Sequence, residues 1–163
     1  MKNAKSGLMY LFNVIVGVLT FVFLSQTYIG AGEGRLFVSV ANGYDIIGNF
    51  FEGNGTEVMM ALSNLLVAIL AGVLILTSFY CMLVSFGVVK KSKGFKLVNF
   101  INVILSLALV VFGAISLFCT VGYVGGDLQQ ALQYSTGWAV IVNFVIAVLA
   151  IVTSILGMKF SKK

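Results

Sequence analysis

The chain has 163 residues, of which 60% are hydrophobic and 9% charged, with a mean hydropathy of +1.10 and a formal net charge of +5. A soluble domain carries about 25% charged residues, so a water-facing globular protein is excluded. The positive charge does not mean nucleic-acid binding, because no stretch resembles a nucleic-acid module and the charge is distributed as in a membrane protein.

Four apolar runs are long enough to cross a bilayer, whose hydrocarbon core of about 30 Å takes about 20 helical residues. The first, 8–29, follows Lys2 and Lys5. Its apolar core exceeds the h-region of a cleavable signal peptide and reads as a retained helix. An outer loop, 30–57, comes next. Within it Arg35 to Val40 predict a short strand, and Asn42-Gly43 predicts a turn. Tyr44 to Phe51 predict either a return strand or a short helix lying on the membrane. Asn54-Gly55-Thr56 fits the N-glycosylation pattern, but Thr56 suits better the N-cap of the next helix. The second span, 58–89, would be about 48 Å long if straight, so it must tilt or project beyond the lipid. A lysine-bearing loop, 90–96, leads to a third span, 97–121. A second outer loop, 122–137, and a fourth span, 138–158, precede the tail, 159–163. No proline interrupts any span, which favours continuous helices.

Lysines lie at Lys2 and Lys5, at Lys90, Lys91, Lys93 and Lys96, and at Lys159, Lys162 and Lys163. The acids Glu33, Asp45, Glu52, Glu57 and Asp127, with Arg35, lie in the other two connections. A chain crossing four times puts these sets on opposite sides, and the positive-inside rule assigns the lysine side to the cytoplasm. The expected fold is therefore all-α. It is one domain, an integral membrane four-helix bundle with both termini cytoplasmic and a small, partly β-structured or interfacial first outer loop. The expected location is a bacterial plasma membrane.

Chemistry is sparse. There is no histidine, and Cys81 and Cys119 fall inside spans, where they read as packing residues. No metal, cofactor or catalytic residue is expected, and the chain is read as no enzyme. What the spans carry is amide and hydroxyl. Asn13, Asn64, Asn99, Asn102 and Asn143 are read as interhelical polar contacts, with pore lining as the other reading. Small pairs such as Ala68/Gly72 and Ala150/Ser154 suit close helix packing. The asparagines also mark a repeat. NVIVGVLTFVF from Asn13 lies on NVILSLALVVF from Asn102. NLLVAILAGVLILTS from Asn64 lies on NFVIAVLAIVTS from Asn143 with three residues removed, closing on Thr77-Ser78 and Thr153-Ser154. The halves would be parallel repeats.

Residues 41–53, ANGYDIIGNFFEG, mix acids with aromatics. Tyr44, Ile46, Ile47, Phe50 and Phe51 are the expected partner-contact or membrane-interface residues.

Four helices, cytoplasmic ends and a longer, strand-bearing first outer loop resemble the claudin-type tetraspan arrangement. The resemblance is one of topology. The Trp-Gly-Leu-Trp block and paired cysteines of that family do not occur in 30–57, so no residue role is carried over. The expected function is that of a non-enzymatic multi-pass membrane protein. It would self-assemble, or serve as a structural or accessory subunit of a larger membrane complex, through the first outer loop and small-residue helix faces. The alternative is an oligomeric pore or small-solute channel lined by Asn, Ser and Thr. The expected partners are the lipid bilayer and a homo-oligomer or membrane-protein complex, with no nucleic acid.

Overall fold

A computed structural model describes residues 4–31, 38–125 and 134–161. Lys2, Glu33, Arg35, Asp127, Lys162 and Lys163, and the first part of the predicted strand 35–40, lie outside the described residues. The elements run α1 (Ala4–Leu24), β1 (Thr27–Ala31), β2 (Val38–Asn42), α2 (Gly43–Asn49), a 3-10 turn (Phe50–Glu52), α3 (Gly55–Phe86), α4 (Phe95–Gly125), β3 (Tyr134–Thr136) and α5 (Trp138–Ser161). The four long helices are long and apolar enough to cross a membrane, and they fit a tetraspan topology. By length and composition this is a membrane protein.

The long helices form a ring in which α1 and α4 each pack against both α3 and α5, leaving α1/α4 and α3/α5 as the diagonals. The buried positions of α4 are Phe95, Asn99, Asn102, Ser106, Leu109, Ser116, Thr120 and Val124. Their steps of three, four and seven place them on one narrow stripe of the helix. That stripe is polar, while the outward faces carry Leu76, 71% exposed, and Phe118, 73% exposed. The bundle is thus apolar outside and amide- and hydroxyl-rich inside. Hydrocarbon solvent makes this stable. Lipid gains nothing from hiding leucine, whereas a polar side chain must find a partner within the protein.

At the end opposite the lysines a small cap covers the bundle. It is a three-stranded antiparallel sheet in the order β2-β1-β3. The central strand is made from residues that the apolar pattern assigns to the end of the first span. That assignment is corrected: α1 stops at Leu24, and β-branched and aromatic Thr27, Tyr28 and Ile29 turn into an extended segment. Periodicity cannot tell an apolar helix end from a short apolar strand. Consequently β2 pairs with β1, through Ala31↔Val38 and Gly30↔Ser39, not with a return strand. Of the two readings for Tyr44 to Phe51, the helix is the one formed.

Two capping boxes explain that outcome. The Asn42 Oδ1 accepts from the backbone N–H groups of Tyr44 and Asp45, both at 2.9 Å, and Asp45 Oδ2 accepts from Asn42 N–H at 3.0 Å. At α3 the Asn54 Oδ1 accepts from Thr56 and Glu57, and Glu57 Oε2 accepts from Asn54 N–H at 2.7 Å. The N-cap of α3 is therefore Asn54, not Thr56. Both sites read Asn-Gly-x-Asp/Glu. What looks like turn chemistry in the sequence is helix initiation, each asparagine and acid satisfying otherwise orphaned N–H groups. The other end of α3 stops at Gly87, whose φ of 81° is the left-handed closing conformation.

Candidate functional site

Two regions collect the polar chemistry of the described residues: the bundle interior and the outer cap. In the lysine-bearing half of the interior, Tyr10 Oη donates to Asn99 Oδ1 at 2.6 Å, and Asn99 Nδ2 donates to Ser161 Oγ at 3.0 Å. Cys81 Sγ donates to the same Asn99 oxygen at 3.2 Å, and Asn102 Nδ2 reaches Cys81 Sγ at 3.6 Å. Asn102 Oδ1 accepts from Thr77 and, at 3.4 Å, from Ser78. Ser106 donates to the Asn102 carbonyl and shares a 2.7 Å hydrogen bond with Ser154. Asn13 Nδ2 donates to Ser154 Oγ at 2.7 Å, while Thr153 donates to Asn13 Oδ1. These bonds form one continuous network touching all four long helices.

The network has an internal symmetry. Asn13 of α1 holds Thr153-Ser154 of α5, and Asn102 of α4 holds Thr77-Ser78 of α3. The repeat aligns Asn13 with Asn102 and Thr77-Ser78 with Thr153-Ser154. Each hairpin therefore offers its asparagine to the other hairpin's hydroxyl pair, the arrangement a twofold axis along the bundle produces. By the same spacing Tyr10 corresponds to Asn99, and these two meet across the diagonal.

An apolar layer follows, made of Val16, Val67, Ala71, Leu74, Leu109, Ile146, Ala147 and Ala150. Beyond it lies a second polar cluster. Ser116 Oγ donates to Asn64 Oδ1 at 2.9 Å, and Asn143 Nδ2 donates to Tyr28 Oη at 2.7 Å. Burial holds the Tyr28 phenol well above its ordinary pKa, so it remains a neutral hydroxyl partner. Among the described residues, Asn64 Nδ2 and Asn143 Oδ1 have no partner. Asn13, Asn64, Asn102 and Asn143, the residues read as interhelical contacts or pore lining, are all buried within a single chain. The interior face that Ala150 and Ser154 occupy is consumed there too, and Gly72 of α3 faces Phe21 of α1. Ala68 and Gly72 are half-buried.

The expected outer contact residues divide. Ile46 is 0% exposed, in a core with Leu24, Tyr28, Met60 and Val140. It is corrected from contact to core residue, because α2 turns one apolar side onto the bundle. Phe50 is half-buried against the Tyr123 ring, with centroids 5.7 Å apart. Tyr44 and Phe51 are exposed and Ile47 is half-buried, although the Tyr44 hydroxyl donates to the Phe21 carbonyl at 3.2 Å. Val40, which the sequence did not single out, is exposed beside them. Of these residues Val40 and Phe50 line a groove of about 460 Å³, with Ile29, Asp45, Asn49 and Tyr123, between β2, α2 and the end of α4. At the opposite end a groove of about 390 Å³ lies between Lys91, Lys96, Phe100 and Met158. No family model, curated protein or solved structure matches this chain.

Proposed function

We propose that this is a non-enzymatic membrane protein that associates with copies of itself, or with a larger membrane complex, through its outer cap. The supporting observation is the cap's surface. Val40, Tyr44 and Phe51 are exposed, and Val40 and Phe50 line an open groove, on a scaffold tied down by two capping boxes and a three-stranded sheet. Aromatic and aliphatic groups held on a rigid frame lose little entropy on contact. The edge strand β2 adds unpaired backbone on one side, which pairs readily with another chain. The association runs through the cap and not through Ala150 or Ser154, which are already used. The lysine end faces the cytoplasm in this reading, where each lysine near the surface adds about 1 kcal/mol of attraction to anionic head groups.

A pore between copies would need lining residues other than these asparagines, whose side chains are buried within one bundle. The test is Val40→Ser with Phe51→Ser, both exposed and therefore mild for folding. A smaller particle in mild detergent, with unchanged helicity, is expected. An unchanged particle mass would remove the cap from the interface.

A further inference from the structure

We propose that the bundle holds a single water molecule on its pseudo-twofold axis, bridging the side-chain amides of Asn64 and Asn143. Both side chains are buried, and each leaves one polar atom without a partner among the described residues, the Nδ2 of Asn64 and the Oδ1 of Asn143. Unpaired buried amide atoms are rare in folded proteins, and an ordered water is the usual reason. Both residues line the same small cavity, of about 10 Å³. That is about the volume one water requires and no more. The orphan atoms are complementary to it, since Nδ2 donates and Oδ1 accepts, and water does both. Ser116 and Tyr28, which already hold the other amide atoms, line the same cavity, so further polar partners are at hand.

Other occupants fit less well. Among the described residues no carboxylate lines the cavity, and the unpartnered amide N–H of Asn64 opposes a cation. Anything larger than water meets Val67, Leu109 and Ala147. Exchanging the N and O positions of Asn64 does not remove the need. Its Nδ2 would then donate to Ser116, two carbonyl oxygens would face the cavity, and a water could donate to both.

The repeat accounts for the position. Asn64 and Asn143 correspond to one another and lie on the diagonal helices α3 and α5. Nearer the lysines, the other equivalent pair, Tyr10 and Asn99, is long enough to meet directly. Two asparagines are shorter and leave a gap one water wide. The water thus joins α3 to α5 beneath the cap, and this holds however the outer loop is used.

The test is water-to-amide cross-relaxation by NMR on the full chain in lipid nanodiscs, read at the Asn64 side-chain amide. A cross-peak is expected in the natural protein. It should persist in Ser116→Ala and in Tyr28→Phe, which remove the neighbouring exchangeable hydroxyls, and be lost in Asn143→Leu, whose side chain fills the cavity. Absence of the cross-peak in the natural protein would overturn the proposal, as would its loss with either hydroxyl. So would a high-resolution structure with the two amides in direct contact and no density between them. If Asn143→Leu does not fold, the natural protein and the hydroxyl variants still decide.

Discussion

At the lysine-bearing end of the bundle, Tyr10, Cys81, Asn99 and Ser161 close on one another across all four helices. At the cap end, among the described residues, Asn64 and Asn143 bond only Ser116 and Tyr28, and each keeps an unpaired atom. Both ends bury the same residue types, yet one satisfies them helix to helix and the other draws a partner from outside the helices. Tyr28 belongs to β1, and β1 is the central strand of the cap. The cap is therefore wired into the bundle's polar interior, whereas the lysine-bearing connection 87–94 merely turns the chain. Interhelical hydrogen bonds in membranes are worth about 0.6 kcal/mol on average. The difference between the ends accordingly lies in how many partners each amide has, not in any single strong bond.

The largest effect is expected where the cap meets β1. A Cβ at Gly137 would lie 2.0 Å from the Thr27 carbonyl oxygen, and the Gly137 N–H donates to the Tyr28 carbonyl at 2.7 Å. Backbone cannot yield as a flexible side chain can. Gly137→Ala should cost about 3 kcal/mol or more and expose β1–β3 amides to hydrogen exchange. A variant as stable as the natural protein would show that the cap is not wired to the bundle as described.

Next, Asn99→Leu removes bonds to Tyr10, Cys81 and Ser161 and strands their buried groups, an expected loss of about 2 kcal/mol in reversible unfolding. Asn64→Leu forfeits one protein partner and should cost about 1 kcal/mol. Equal losses would erase the contrast between the two ends. The smallest effect sharpens the symmetry. Asn13→Ala and Asn102→Ala remove equivalent contacts and should each cost about 1 kcal/mol, agreeing within about 0.5 kcal/mol. A clear inequality would mean that the matched contacts do not share a load.

Much of this was legible beforehand in particular residues. The four spans show as uncharged apolar runs because lipid demands length and apolarity, whatever packs inside. The repeat of Asn13 on Asn102, and of Thr77-Ser78 on Thr153-Ser154, was visible, but not that each asparagine would cross to the other hairpin. That choice depends on which helices are ring neighbours. The cap was harder to read. Asp45 and Glu57 looked like free outer acids, and only their position three residues after Asn42 and Asn54 marked them as capping-box partners. Ile46 could not be told from Ile47, because a helix of seven residues is too short to display a period, and burial follows from what lies beneath it.

The amino-acid sequence by itself determined that the chain has four runs long and apolar enough to cross a membrane, and where its charges collect, because transfer energies add residue by residue along an apolar run. Tertiary structure alone decided that Tyr28 leaves α1 to join a sheet, that Ile46 turns inward, and that Asn64 and Asn143 line one cavity. Those outcomes depend on which groups from distant segments arrive together, and a buried hydrogen bond or a filled core exists only when both sides are in place.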